Sequence, residues 1–154
     1  MEIISITEMH NYLEDYCRLC SLEWGSTKTE KELNVYVKNK IKKIHEEDKV
    51  ISILGLVDND NLIGFISLFK YDGEERRDLT PWYATMYVKK DYRGKGYSRL
   101  LNDAILIEAK KLGYDRVYLK SNLVNYYEKF GAIYIKTLDT GENLYYINCI
   151  TKNH

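Results

Sequence analysis

The chain has 154 residues, of which 23 are acidic and 23 are basic, so its formal net charge is zero. This length predicts a single domain over residues 1–154, and the neutral balance argues against a dedicated nucleic-acid-binding protein, which usually has a basic surface. No apolar run reaches the about 20 residues of a membrane-spanning helix, and the N-terminus lacks the features of a signal peptide. We therefore expect a cytoplasmic protein with no nucleic-acid or membrane partner.

The N-terminal third of the chain predicts one strand and two helices. Residues 3–6 form the strand, and Thr7 is a candidate N-cap for the first helix, which should end before Gly25. Thr27 and Glu30 have the spacing of a capping box that opens the second helix. Both helices carry apolar residues at helical spacing, so we expect each to bury one face.

Two cysteines, Cys17 and Cys20, form a C-x-x-C pair inside the first predicted helix. A zinc site would need two further ligands at suitable spacing, and a thioredoxin-type motif would lie where a strand meets a helix. A total of three cysteines is also too few, and odd, for a disulfide framework. We therefore expect buried helix cysteines and no metal site.

The rest of the chain alternates predicted strands and helices. Residues 50–57 and 62–71 flank four turn-forming residues and predict an antiparallel hairpin. A charged loop and a strand at residues 81–88 follow. A helix then ends at Gly113, and residues 116–120 predict a further strand.

The C-terminal part predicts a short helix closed by Gly131 and a hairpin formed by residues 133–136 and 143–150. The complete order is therefore β-α-α-β-β-β-α-β-α-β-β. This order predicts an α+β fold in which helices cover a mixed sheet.

The turn between the fourth strand and the third helix is the most informative segment. Gly94 and Gly96 allow its backbone to approach a ligand closely, and the unpaired N–H groups at the start of a helix bind phosphate oxygens. The basic side chains around the turn, opposed only by Asp91, are Lys89, Lys90, Arg93, Lys95 and Arg99. In a neutral chain, this local positive charge predicts an anion site.

A glycine-containing turn of this kind has other interpretations when it is taken alone. It can be a turn that merely starts a helix. A dinucleotide-binding turn is a further alternative, but it requires three glycines in the pattern G-x-G-x-x-G inside a βαβ unit near the start of the chain, and the segment at 93–98 does not meet these conditions.

Three segments together resemble the GNAT superfamily of N-acetyltransferases. Residues 93–98 resemble its acyl-CoA signature, Arg/Gln-x-x-Gly-x-Gly/Ala, with Ser98 at the last position. Residues 125–132 resemble its Tyr-Glu-Lys-x-Gly-Phe helix, and residues 78–88 resemble the fourth strand of many bacterial members. The resemblance extends over residues 78–132 and implies the GNAT (acyl-CoA N-acyltransferase) fold, with acetyl-CoA as co-substrate between splayed fourth and fifth strands.

The resemblance also implies which residues bind the co-substrate. The pyrophosphate would lie on the main chain of Arg93, Gly94, Lys95, Gly96, Tyr97 and Ser98. The pantetheine arm would pair with the backbone of Met86, Tyr87 and Val88, and Asn125 would contact the same arm. The remaining phosphates could meet the basic side chains Lys89, Lys90, Lys95 and Arg99.

For catalysis, the resemblance implies that Tyr127 is the general acid that meets the departing thiolate, although a packed aromatic side chain is the alternative role. A backbone N–H near Met86 or Tyr87 would polarise the thioester carbonyl. Many family members place a glutamate on the fourth strand as a base, but residues 81–88 contain no carboxylate. Asp78 is the nearest upstream candidate, and a water chain is the alternative.

The predicted function is transfer of the acetyl group of acetyl-CoA to a primary amine by direct attack in a ternary complex. The acceptor would be a small-molecule or peptide amine, and the sequence leaves a homodimer open. The sequence does not identify the residues that bind the acceptor, although an amine pocket could be lined by Trp24, Trp82, Tyr83, Glu74 and Glu75. The alternatives are a non-catalytic acyl-CoA-binding sensor and an unrelated phosphate or nucleotide binder.

Overall fold

The computed structural model describes residues 1–25 and 29–152. Over these residues the sheet consists of β1 (Glu2–Ser5), β2 (Val50–Asp58), β3 (Asn61–Phe69), β4 (Trp82–Val88), β5 (Arg116–Ser121), β6 (Ile133–Thr137) and β7 (Asn143–Asn148). The helices are α1 (His10–Trp24), α2 (Glu30–Glu46) and α3 (Tyr97–Lys111). Single 3₁₀ turns occur at Lys90–Tyr92 and Tyr127–Phe130. The predicted α+β class and order of elements are confirmed, and the turn at Lys90–Tyr92 is an addition.

The sheet runs in the order β1-β2-β3-β4-β5-β7-β6. Neighbouring strands are antiparallel except for β4 and β5, which are parallel. Those two strands pair only at Trp82 and Tyr118, where the N–H of Tyr118 donates to the carbonyl of Pro81 at 2.9 Å. Beyond this point they diverge, so an otherwise continuous sheet has a gap at its centre.

Strand β4 contains a β-bulge close to this gap. In its pairing with β3, Tyr87 lies opposite Phe65 and Ala84 lies opposite Ser67. Thr85 and Met86 therefore stand against a single residue of β3. Thr85 has a φ of +52°, a conformation that is uncommon for a β-branched residue. The bulge redirects the strand just before it separates from β5.

The two faces of the sheet have separate cores because side chains alternate between faces along a strand. On β3, Phe65 lies in the core formed with α1 and α2, whereas Ile66 lies in the core formed with α3. Leu13 of α1 and Ile105 of α3 are both completely buried, one on each side. The helices thus cover both faces of the sheet, with α1 and α2 on one face and α3 on the other, and the central gap lies within the sheet between them.

The start of α1 differs from the prediction. Its N-cap is Met9, which makes no side-chain cap hydrogen bond. The hydroxyl of Thr7, the predicted cap, instead accepts a hydrogen bond from the N–H of Ile53 at 3.1 Å. The prediction of Thr7 as a cap was therefore wrong, because its hydroxyl joins the chain after β1 to the neighbouring strand.

The start of α2 also differs from the predicted capping box. Thr27 lies outside the described residues. The N-cap is Thr29, whose hydroxyl accepts a hydrogen bond from the N–H of Glu32 at 3.1 Å. The Ser/Thr-x-x-Glu spacing is thus present, two residues later than predicted.

The predicted burial of the two helix cysteines is confirmed. Cys17 and Cys20 are buried in α1, and all three thiols are free. Across residues 1–25 and 29–152, no group of three or more His, Cys, Asp or Glu side chains is placed to hold a metal ion. Within the same residues, every helix is too short or too polar to cross a membrane.

Candidate active site

A cleft of about 380 Å³ opens where β4 and β5 diverge. Its wall combines β4 with β5, the end of α1, the loop after β3, the Tyr127 turn and the β6–β7 turn. The lining residues are Trp24, Phe69, Asp72, Tyr83, Ala84, Thr85, Met86, Leu119, Lys120, Tyr127 and Glu142. Two residues predicted from the sequence, Met86 and Tyr127, therefore meet across one cavity, although they are far apart in the chain.

The bulge on β4 is held from beneath by a buried hydrogen-bond network. The hydroxyl of Tyr16 on α1 lies 2.9 Å from the hydroxyl of Ser67 on β3, and Thr85 donates its hydroxyl to Ser67. Burial raises the pKa of Tyr16 far above its ordinary value, so this phenol stays neutral. Three satisfied hydroxyl groups thus stabilise the positive φ of Thr85 and fix the backbone that lines the cleft.

Tyr127 enters the cleft from a single 3₁₀ turn that ends at Gly131, whose φ is +91°. Its ring meets Tyr83 edge to face, with 6.0 Å between centroids, and Tyr126 at 4.8 Å. Burial, with a smaller contribution from Tyr126, raises the pKa of the Tyr127 hydroxyl. At neutral pH it is therefore protonated and available as a hydrogen-bond donor.

Tyr83 is the second tyrosine of the cleft. Its side chain is 4% exposed, and within the described chain its buried hydroxyl has no hydrogen-bond partner. Burial raises the pKa of this hydroxyl well above the ordinary value. An unsatisfied buried hydroxyl costs about 1–3 kcal/mol, so a bound molecule that supplies the missing partner would remove this cost.

The glycine turn before α3 has the form that an anion requires. Gly94 and Gly96 have φ values of +77° and +85°, and a Cβ built on either would meet no atom within 4 Å. Gly96 is the N-cap of α3, so no side chain caps that end. The Leu100 N–H bonds to the Gly96 carbonyl at 3.2 Å. The N–H groups that precede Leu100 at this helix start lack a carbonyl one turn earlier, which is what a pyrophosphate site requires.

Two of the basic side chains near this turn are already engaged by the protein. The Nε of Arg93 donates to the carbonyl of Val88 at 2.8 Å. Arg99 donates to the carbonyl of Lys129 at 2.6 Å. The first bond joins the turn to the end of β4, and the second joins α3 to the turn that carries Tyr127. Both arginines therefore have a structural role at this site.

Among the predicted catalytic and co-substrate-binding residues, Met86 and Tyr127 alone line the cleft. Asp78 and Asn125 are two of those that do not. The carboxylate of Asp78 is 63% exposed and accepts two hydrogen bonds from Arg76, at 2.9 and 3.0 Å. These bonds hold the pKa of Asp78 below its usual range, which makes it a weaker base. Asn125 is exposed, with a φ of +60°. Neither residue lines the cavity.

The residues considered for an amine pocket divide into two groups. Trp24 and Tyr83 line the cleft. Trp82 is completely buried in the core, Glu74 forms an ion pair with Arg77, and Glu75 lines a separate surface pocket. Only the first two therefore contribute to the cavity wall.

The carboxylates that do line the cleft were missed by the sequence analysis. They are Asp72, in the loop after β3, and Glu142, in the turn before β7. Lys120 on β5 donates to the backbone carbonyl of Asp72 at 2.7 Å and so fixes that loop. No motif marks these residues, because only the sheet order brings their segments together.

Comparison with known proteins supports the assignment that this geometry suggests. The sequence model described as the acetyltransferase (GNAT) family matches residues 7–132. A search among curated protein sequences gave no match.

Several solved structures have a similar fold. An aminoglycoside 6'-N-acetyltransferase complexed with coenzyme A is 16% identical and superposes with a TM-score of 0.73 over the whole of both chains. The aminoglycoside 6'-N-acetyltransferase from Enterococcus faecium is 15% identical, with a TM-score of 0.71 over both complete chains. PaiA N-acetyltransferase from Thermoplasma acidophilum, in complex with coenzyme A, is 18% identical, with a TM-score of 0.62 over 96% of this chain and 99% of that one.

The family match spans most of the sequence, and the structural similarity extends over the full sheet. The predicted GNAT fold is confirmed, and so is acetyl-CoA as the co-substrate of an acyltransferase. The chain therefore belongs to the acetyltransferase (GNAT) family of enzymes.

Proposed function

We propose that this enzyme transfers the acetyl group of acetyl-CoA directly to a primary amine of a small-molecule or peptide acceptor. The observation that carries the proposal is the cleft between β4 and β5, in which Met86 and Tyr127 face the same cavity. The gap separates β4 from β5 beyond their single paired position, so an acetyl donor and an amine can both reach the cavity that it opens. This arrangement favours a ternary complex, in which both reactants are held together before reaction.

The backbone would provide most of the binding site for acetyl-CoA. Amides of residues 94–98 would hold the pyrophosphate, because the Cβ sides of Gly94 and Gly96 face open space. The N–H of Arg93, which the resemblance also included, is already donated to the carbonyl of Lys90 at 3.2 Å. The main chain of Met86, Tyr87 and Val88 would pair with the pantetheine arm, in the manner of an added strand. The contact of Asn125 with that arm stays a prediction.

In the reaction, the amine nitrogen would bond to the acetyl carbonyl carbon while the carbon–sulfur bond breaks. A backbone N–H near Met86 or Tyr87 would stabilise the negative charge that develops on the carbonyl oxygen. Tyr127 would donate a hydrogen bond to the departing sulfur. Full proton transfer from an unperturbed tyrosine to a thiolate is uphill by about 2 kcal/mol, and the raised pKa of Tyr127 increases that cost. Transfer would therefore occur late or through solvent.

The amine must lose a proton before or during attack. Asp78 was predicted as the base, but its ion pair with Arg76 and its location outside the cleft give that role little support. Asp72 and Glu142 line the cleft and can attract an ammonium group. We propose that solvent near these carboxylates accepts the proton, without a single dedicated base.

The test is release of free CoA from acetyl-CoA in the presence of a broad panel of amines, peptides and amino acids. We expect at least one amine to give turnover well above hydrolysis, and mass spectrometry to show the acetylated amine. Tight binding of acetyl-CoA without CoA release for any amine would contradict the proposal and favour the acyl-CoA sensor. The cytoplasmic location and a homodimer stay predictions.

A further inference from the structure

A second pocket, of about 340 Å³, adjoins the active-site cleft and differs from it in charge. We call it the basic pocket because Lys40 and Lys43 of α2, together with Lys49, line it. It shares Phe69, Asp72 and Thr85 with the active-site cleft. These three residues line both spaces, so the two spaces are direct neighbours.

The three lysines of the basic pocket have no carboxylate partner. Within the described residues, no acidic oxygen lies within 4.0 Å of any of their ammonium groups. Lys40 donates to the hydroxyl of Tyr36 at 3.2 Å, and the ammonium of Lys49 lies 4.8 Å from the ring centroid of Phe69. The carboxylates in the same wall are Glu47 and Asp72, which leaves an excess of positive charge.

The active-site cleft has the opposite balance. Asp72 and Glu142 line it and form no ion pair within the described chain, and Lys120 is the one cationic side chain in its wall. The ammonium of Lys120 is held by the Asp72 backbone carbonyl. The cleft therefore favours a cationic amine, whereas the basic pocket favours an anion.

On the basis of the proposed function, we propose that the acceptor is zwitterionic, with its amine in the active-site cleft and a carboxylate or similar anionic group in the basic pocket. A molecule with a second ammonium group would place that group against Lys43 and Lys49. Like charges at short range are unfavourable, so a linear polycation is a poor match for the two spaces together. The position of Lys49 over the Phe69 ring brings one cation to the boundary between them.

The first experiment compares three series of acceptors at saturating acetyl-CoA. The ω-amino carboxylates, the alkylamines and the α,ω-diamines of matched chain length differ chiefly in the charge at the far end. At the best length, we expect kcat/KM for the amino carboxylate to exceed that for the alkylamine by about tenfold, the effect of one hydrogen bond to a charged group. The diamine should be the poorest acceptor.

The outcomes separate this inference from the proposed function. The inference is overturned if diamines are preferred, if amino carboxylates and alkylamines are equal, or if all three series fail while another amine is acetylated. In each of these cases the acetyltransferase proposal stands. If no amine in a broad panel releases CoA, the proposed function fails and the inference fails with it.

The second experiment uses Lys43→Gln and Lys49→Gln, with Lys42→Gln as the matched control. Lys42 is on the same helix but lines a different groove, away from the basic pocket. Each of the first two substitutions should remove part of the roughly tenfold preference for the amino carboxylate over the alkylamine, about threefold each, chiefly through KM. The control should leave the preference unchanged. Equal losses for both acceptors, or an equal effect of Lys42→Gln, would overturn the assignment.

Discussion

The two sides of the proposed active site are constructed in different ways. The proposed co-substrate side depends on the backbone of one continuous segment, in which Gly94 and Gly96 lead into α3 without a side chain. The proposed acceptor side is a set of side chains from separate segments, including Trp24 at the end of α1, Asp72 after β3 and Glu142 before β7. The first should respond to changes in backbone conformation, whereas the second should respond to single side chains.

The largest expected effect concerns Tyr127, where the two sides meet. Tyr127→Phe should keep the affinity for acetyl-CoA and lower kcat by about 10²- to 10⁴-fold, the usual range for an acid–base group. Steady-state kinetics with one accepted amine, together with calorimetric titration of acetyl-CoA, would measure both quantities.

Tyr126→Phe is the matched control, because Tyr126 is the adjacent tyrosine but does not line the cleft. It should change kcat much less. If the two variants have the same kcat, then Tyr127 is a packed aromatic residue and the catalytic role implied by the family resemblance does not apply to it.

The next prediction tests whether acetyl-CoA binds to the backbone of the glycine turn on the co-substrate side. Acetyl-CoA at a hundredfold excess over its Kd should stabilise the wild type by about 2.7 kcal/mol, and ATP or NAD should do so much less. Gly96→Val should abolish the corresponding rise in Tm, because the added side chain would enter the open space that the phosphates need.

Gly113→Val is a control of matched strain. Gly113 has a φ of +98°, and its Cβ position is also open, but it lies at the other end of α3. Both variants should lose intrinsic stability, while only the Gly113 variant should keep the acetyl-CoA shift. A full shift in Gly96→Val would contradict the assignment of the turn.

Smaller effects on stability, opposite in sign to each other, are expected for substitutions of two buried tyrosines. Tyr83→Phe removes a hydroxyl that has no partner in the described chain, so the free energy of unfolding should rise by about 1 kcal/mol. Tyr16→Phe removes a hydroxyl bonded to Ser67, and it should lower that free energy by a similar amount. Urea denaturation would measure both changes, and destabilisation by Tyr83→Phe would show that its hydroxyl is satisfied.

The smallest effect is expected at Asp78. If no dedicated base exists, kcat/KM should rise about tenfold per pH unit towards the pKa of the amine, because the neutral fraction grows at that rate. Asp78→Asn should leave this profile nearly unchanged, since the carboxylate is paired with Arg76. Loss of an acidic limb from the pH–rate profile of Asp78→Asn, with a large fall in kcat, would restore Asp78 as the base.

Much of the fold could be predicted because its signals are local. Apolar alternation, turn residues and helical spacing identified the strands and helices in the correct order, and glycines located the turn before α3. The N-caps were misplaced. Thr7 suits a cap by its residue type, but its hydroxyl bonds to Ile53 of the neighbouring strand, and α2 is capped by Thr29 where Thr27 was predicted.

The acceptor side could not be predicted because its residues come together only through the tertiary fold and leave no local signal in the sequence. Asp72 and Glu142 have no spacing in common, and they face one cavity only because β7 lies between β5 and β6. The bulge at Thr85 likewise has no local signal, since its sequence reads as an ordinary strand. Glu74 and Glu75 do not contribute to the cleft, because Glu74 is paired with Arg77 and Glu75 lines a separate pocket.

The Tyr16 network has a consequence for how the enzyme acquires activity as it folds. Tyr16 is separated by 51 residues from Ser67 and by 69 residues from Thr85. Contacts between distant parts of a chain close later than local ones, because ordering a long loop costs entropy. Helical structure should therefore return early during refolding. The backbone of β4 should adopt its native bulge only after α1 packs against the sheet. Regain of activity is then a stricter measure of native structure than regain of helix content.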